Sequence, residues 1–195
     1  MPRTTPKKTI VRASPGHPVL DVHPLAPEDA GHAVDAVFAQ LSPRSRYLRF
    51  HSPVHRLTGP VRARLVDLDG RCRAAVVAVV GRPDGPDGPS PVGIARLARS
   101  GPGSVEIAVA VADAWQRRGI GSRLVTAIAE LAEGLGYTTL SGAVVPENVA
   151  MLGLVRKIFP WVRAQYDGDV VQLRIRLGSA AWTITDDLIA ELTAQ

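Results

Sequence analysis

"VADAWQRRGIGSRLV", residues 111–125, carries an apolar, strand-like segment into two arginines, two glycines spaced by one residue, and the start of a helical pattern. At a helix start four backbone N–H groups have no internal partner, and the macrodipole adds about half a positive charge. An anion fits there. Gly119 and Gly121 remove side chains where bound phosphates would meet Cβ atoms, and Arg117 and Arg118 add charge that can fork around oxygens. A tight turn needing glycine for positive φ is the competing use of the same pair. Two nucleotide motifs do not fit: the Walker lysine with its serine or threonine is missing, and the third glycine of a dinucleotide fingerprint is replaced by Leu124.

The flanks turn this strand–turn–helix into a fold. Upstream, "SVEIAVAVAD" (104–113) reads as a strand whose long apolar centre predicts burial on both faces. Downstream, Ile120, Leu124, Val125, Ile128, Leu131 and Ala132 recur at three and four residues, an amphipathic helix with a glycine C-cap signal at Gly134. "TTLSGAVV" (138–145) is a further strand, 148–158 a helix, and "WVRAQYDGDVVQLRIRL" (161–177) a hairpin turning at Asp167-Gly168. Toward the N-terminus, "CRAAVVAVVG" (72–81) and "PVGIARLARS" (91–100) are strands joined by "RPDGPDGPS", a mobile surface loop by its Pro and Gly content.

"VLDVHPL" (19–25) alternates as a half-buried strand, and Pro27 opens a helix carrying Ala33, Val34, Val37, Phe38 and Leu41. "SPRSRYLRF" (42–50) restarts with Ser42 as N-cap, and a short helix follows at about 60–67 before the "DLDG" turn. Antiparallel strands followed by a strand–helix–strand crossover predict a mixed α+β fold: a mixed, mostly antiparallel sheet with helices on its faces. Residues 18–178 form one domain on this reading, with a basic disordered tail at 1–17 and a C-terminal helical extension at 179–195.

Charge narrows the function. The chain has 23 basic and 18 acidic residues, a net +5, but Arg3, Lys7, Lys8 and Arg12 lie in the first 20 residues without an acid, so the body is close to neutral. That disfavours a nucleic-acid binder, whose basic groups would sit on the folded body. Arg44, Arg46, Arg49, Arg56, Arg62 and Arg64 form one acid-free stretch whose field attracts an anionic ligand. Cys72 is the single cysteine, read as a buried strand residue, which rules out an internal disulfide and suits a reducing cytoplasm. The N-terminal segment lacks the apolar core of a signal peptide, and no apolar run is long enough to span a membrane. His17, His23, His32, His51 and His55 have no metal-ligand spacing, so no metal is expected. Trp115, Trp161, Trp182, Tyr47 and Phe50 read as packing residues.

"QRRGIGS" (116–122) resembles the Gln/Arg-x-x-Gly-x-Gly/Ala signature of the GNAT superfamily of N-acetyltransferases, which binds the pyrophosphate of acetyl-CoA. The likeness extends to "EIAVAVADAWQ" before it and "ENVAMLGLVRKIF" after it, and covers roughly residues 19–177 in the family's order of elements. "LSPRSRYLRF" further resembles the opening helices of bacterial GNAT domains that acetylate lysines of metabolic enzymes. The resemblance implies a GNAT-like sheet, acetyl-CoA as co-substrate, and an amine acceptor, either a protein lysine or a small molecule. It assigns the pantetheine arm to the backbone of Val109, Ala110 and Val111, and the pyrophosphate to Gln116, Arg117, Arg118, Gly119, Ile120, Gly121 and Ser122. Asn148 would contact the cofactor's arm, with helix capping as its alternative use.

Glu106 is the expected base. An ammonium of pKa about 10.4 is neutral only ~0.04% of the time at pH 7, a handicap of roughly 4.6 kcal/mol that a base helps offset. Glu106 is a lone acid in an apolar strand, ten residues before Gln116, where many family members place such a glutamate, and burial would raise its pKa. One position departs from the family: Val155 stands where many members carry the tyrosine that protonates the departing thiolate, and "KIFP" replaces the expected K-x-Gly-Phe. That departure also admits a non-catalytic acyl-CoA-binding regulator.

Overall fold

The computed structural model describes residues 20–81 and 88–178. The N-terminal tail, most of the 82–90 loop, Trp182 and the predicted C-terminal helix lie outside the described residues. In chain order the elements are β1 (Leu20–Pro24), α1 (Ala30–Ala39), α2 (Pro43–Phe50), α3 (Gly59–Val66), β2 (Arg73–Val80), β3 (Ser90–Gly101), β4 (Ser104–Val111), α4 (Ile120–Gly134), β5 (Thr139–Val144), α5 (Val149–Ile158), β6 (Arg163–Asp167) and β7 (Val170–Arg176). The strands form one seven-stranded sheet in the order β1-β2-β3-β4-β5-β7-β6. Every neighbouring pair is antiparallel except β4 with β5, which α4 joins as the crossover.

β2 shows why the sheet is covered on both faces. Its even-numbered residues Ala74, Val76, Ala78 and Val80 enter the larger core with α4 and α5, whereas Ala75 and Val77 enter a smaller one with Leu25, Ala30 and Ala33 of the α1 side. α4 seats Leu124, Val125, Ile128, Ala129 and Ala132 on the larger core. The seat is tight. A Cβ on Gly93 would stand 2.8 Å from Leu124 Cδ1 and 3.3 Å from the Ala110 carbonyl, so β3 needs glycine where the helix crosses it.

Three local expectations change. The left-handed glycine after α4 is Gly136 (φ +85°), because Gly134 completes the helix and Leu135 caps it. The β6–β7 turn is Gly168-Asp169, since Asp167 pairs with Val170 and only Gly168 takes positive φ. Cys72 is half-buried in the turn before β2, where its N–H bonds Asp69 Oδ1 at 2.7 Å, so it is not a core residue.

Candidate active site

β4 and β5 pair over three residues, Ser104 with Thr139, Val105 with Leu140 and Glu106 with Ser141, and then diverge. β4 keeps its ladder with β3 to Val111, so one of its edges faces a gap. This explains why β4 is mostly half-buried, against the expectation of burial on both faces. Strand alternation decides which residues look into the gap. The Val105 carbonyl accepts from the Ser141 hydroxyl at 3.1 Å, and the Val111 carbonyl accepts from Gln116 Nε2 at 3.0 Å. The Ile107 carbonyl lies 3.3 Å from where a Cβ on Gly142 would stand, so odd-numbered residues face the gap. Even-numbered residues turn to β3, as the Ala112 N–H bonded to Val92 shows. Of the three residues expected along a peptide-like arm, Val109 therefore has both backbone groups open to the gap. Val111 has its carbonyl covered, and Ala110 faces the other way.

After Val111 a single 3₁₀ turn, Asp113–Trp115, leads into the glycine turn. Arg117 (φ +60°) and Gly119 (φ +75°) both take the left-handed conformation, which gathers successive N–H groups into an anion-binding concavity. Gly119 is the N-cap of α4 and no side chain caps that helix, which leaves the first-turn N–H groups of Ile120, Gly121 and Ser122 for a ligand. Ser122, 3% exposed, is the buried polar residue of that turn. Ile120 offers its backbone alone, because its side chain lies in the core. These features fit a pyrophosphate: an uncapped helix start, a nest of N–H groups, and glycine at 121, where a Cβ would already touch Leu154 at 3.3 Å.

Two members of the signature are used otherwise. Gln116 Nε2 donates to Val111, to Ser45 Oγ at 3.2 Å and weakly to Asp113 Oδ1 at 3.4 Å, and its own N–H bonds the Asp113 carbonyl. Its donors hold the turn rather than a phosphate. The Arg118 guanidinium lies over the Trp115 ring at 5.0 Å and does not line the groove, whereas Arg117 does.

Two cavities meet at the gap. One, of about 320 Å³, runs over Val109, Val111, Arg117, Gly119, Gly121 and Ser122. The other, of about 290 Å³, is lined by Glu106, His51, Ser141 and Val155 among others. Leu48, Arg49, Val109, Asn148 and Met151 line both, so the junction has two polar side chains, Arg49 and Asn148. Asn148 caps α5 by accepting from the Met151 N–H at 3.2 Å and lines both cavities. The capping alternative and the ligand-facing one thus coexist in one side chain.

Arg49 is half-buried; desolvation pushes its guanidinium down to about 10, repulsion from Arg96 adds to the fall and Glu106 opposes it. The expected burial of Glu106 is not found. It is exposed, because even-numbered β4 side chains point to the α2 face, where the strand borders the open cavity.

The family model of the GNAT acetyltransferases matches residues 48–159, which include the gap, the turn and both helices around it. The chain belongs to the GNAT acetyltransferase family. Among solved structures, the GNAT domain of S. lividans PAT is 25% identical, with a TM-score of 0.70 over 81% of this chain and 90% of that one. The cAMP-binding acyltransferase from Mycobacterium smegmatis is 23% identical (TM-score 0.57) and covers 96% of this chain, which spans about half (52%) of that protein. yncA from Salmonella typhimurium, solved with its cofactor acetyl-CoA, shares the fold at 15% identity, with a TM-score of 0.58 over 83% of this chain and 96% of that one. No curated protein sequence matches. As a GNAT enzyme the chain is an acyltransferase, with acetyl-CoA as the family's acyl donor. Among the described residues no helix is long and apolar enough to cross a membrane, and no cluster of three or more His, Cys, Asp or Glu could hold a metal.

Three residues of this GNAT site were not legible beforehand. Asp113 accepts from the Ser42 N–H at 2.6 Å, the Ser42 hydroxyl at 3.1 Å and the Ser45 hydroxyl at 2.6 Å, which ties the start of α2 to the glycine turn. Desolvation pushes its carboxyl up, but those hydrogen bonds outweigh it and hold the group below the ordinary 3.8. His51, at the left-handed C-cap of α2 (φ +55°), lines the Glu106 cavity rather than a remote surface. Arg49 comes from the acid-free arginine stretch, two of whose other members are engaged elsewhere: Arg62 pairs with Asp35 at 2.6 Å, and Arg46 donates to the His55 carbonyl at 2.8 Å and packs on Phe38.

Proposed function

We propose that the enzyme transfers the acetyl group of acetyl-CoA to the side-chain amine of a protein lysine by direct attack. The observation that carries this is a pair of cavities that share five lining residues where β4 leaves β5, a pyrophosphate-type helix start in one and a lone carboxylate in the other. Bound acetyl-CoA supplies an activated acetyl thioester. On this reading Val109 holds the peptide-like arm, Arg117 and the first-turn N–H groups of α4 hold the pyrophosphate, and Asn148 donates through Nδ2. Glu106, exposed at the wall of the second cavity, accepts the proton of the amine. Unpaired N–H groups on the gap edge of β4 are the donors available to a carbonyl oxygen as it gains charge. Lysine is favoured by the resemblance over Leu41–Phe50, the segment that becomes α2 and the wall of the acceptor cavity, and by the likeness to S. lividans PAT. The lone half-buried cysteine fits a cytoplasmic setting.

The test is acetylation of a panel of lysine peptides and small amines with labelled acetyl-CoA, read by thiol release and by mass spectrometry of the products. Turnover confined to small amines overturns the lysine assignment. Tight acetyl-CoA binding without turnover on any amine overturns transfer altogether, in favour of acyl-CoA sensing.

A further inference from the structure

Acyl transfer from a thioester creates an anion that must be accommodated. The amine lone pair attacks the thioester carbon, the C–S bond breaks, and the bonding electrons leave with sulfur as a thiolate. Where many relatives keep a tyrosine to protonate that sulfur, Val155 contributes an apolar side chain to the cavity wall and is 4% exposed. The protein therefore needs another way to stabilise negative charge at the junction of its two cavities.

The junction supplies a cation. Arg49 and Asn148 are the polar side chains shared by both cavities, and Arg49 is the charged one. Among the described residues its guanidinium has no hydrogen-bond or ion-pair partner; its recorded contact is the Phe50 ring, 5.0 Å from its centre. By contrast Arg62 forks onto Asp35 with three hydrogen bonds, and Arg46 donates to the His55 carbonyl. A half-buried guanidinium at the junction, with no partner to hold it, is placed to face an anion that forms there.

We propose that Arg49 stabilises the departing CoA thiolate, in the role a proton donor plays in other members of the family. This rests on the proposed function. The guanidinium keeps its proton; the amine proton goes to Glu106, and the thiolate leaves with CoA and takes a proton from water. The other charged or titratable groups facing this point are Glu106 on β4, His51 at the end of α2 and Arg117 in the cofactor turn, with Arg96 of β3 behind Arg49. Glu106 acts against a thiolate, so a lowered thiol pKa at this place reports the cations.

The experiment titrates the thiol of CoA bound to the full-length enzyme, by thiolate ultraviolet absorbance, with the desulfo-CoA complex subtracted to remove Cys72 and aromatic background. A thiol near 8.5 is expected to fall by about 1–3 units on binding. Arg49→Gln should still bind CoA by calorimetry but lose most of that fall, and Arg49→Lys should keep part of it. Arg117→Gln should weaken CoA binding and leave the shift in place. A bound thiol in the wild type that titrates like free CoA overturns the proposal without any variant, as does a shift that survives Arg49→Gln. Absence of CoA binding in the wild type is a different failure, since it removes the proposed function itself.

Discussion

Asp113→Ala cuts the tie between α2 and the glycine turn. The substitution removes the acceptor of three hydrogen bonds from α2, given by the Ser42 amide and hydroxyl and the Ser45 hydroxyl at 2.6, 3.1 and 2.6 Å, and of a weak one from Gln116 at 3.4 Å that adds little. Buried bonds to a charged acceptor are worth about 1.5–3 kcal/mol each, but Asp113 is exposed, so water screens the charge and replaces the lost partner. At about 0.5 kcal/mol per bond the net loss is about 1.5 kcal/mol, and for a chain of this size each kcal/mol moves Tm by about 2–4 °C. Calorimetry at neutral pH should therefore find Asp113→Ala melting about 3–6 °C below wild type. Its pH dependence has a definite sign. A carboxyl held below its ordinary 3.8 stabilises the fold above that value and loses the contribution as pH falls through the folded pKa, so the gap should close in acid. Equal melting temperatures at neutral pH, or a gap that widens on acidification, would refute the reasoning.

Glu106→Gln should lower kcat by about tenfold or more, with acetyl-CoA affinity by calorimetry unchanged; turnover unaltered from about pH 6 to 9 removes Glu106 from the mechanism. Gly121→Val should weaken acetyl-CoA binding at least about tenfold, because its Cβ already reaches Leu154 at 3.3 Å and the added methyls enter the groove; undiminished affinity in a folded protein refutes the pyrophosphate assignment. Gly93→Ala should cost about 1–3 kcal/mol, read as a lower urea midpoint at constant m-value, because its Cβ would stand 3.3 Å from the Ala110 backbone oxygen and 2.8 Å from Leu124. An unchanged midpoint would mean that α4 shifts away freely.

The elements were legible because their signals are local. Ser42 caps α2 as its place before Pro43 predicts, accepting from the Ser45 N–H at 3.2 Å, and α4 buries the residues its periodicity marks. The glycine turn was legible for the same reason. Asp113 was not, since its partners lie 68 and 71 residues away and nothing in "VADAW" announces them. Arg49 was one of six arginines in an acid-free stretch, and only the packing of α2 against β4 separates the one that enters the cleft from those held by Asp35 or Phe38. The exposure of Glu106 was not legible because its side chain turns to the α2 face of β4, and nothing in an apolar strand shows that this face borders an open cavity there. The hairpin turn was displaced by one residue because the pairing of Asp167 with Val170, not the Asp-Gly dipeptide, sets where the strands end.

The divergence of β4 from β5 leaves the sheet as two leaves, β1 to β4 and β5 with β7 and β6, hinged over Ser104–Glu106. A ligand arm lying along Val109 would supply the missing rung, so that the substrate completes the protein's own ladder. Binding energy would then appear as fold stability, about 2.7 kcal/mol when the ligand stands at a hundred times its Kd. Protection of backbone amides from hydrogen exchange should rise first at Val109 and Val111, the residues whose N–H groups face the gap beyond the last pair. In such a protein occupancy and cohesion are one quantity measured in two ways.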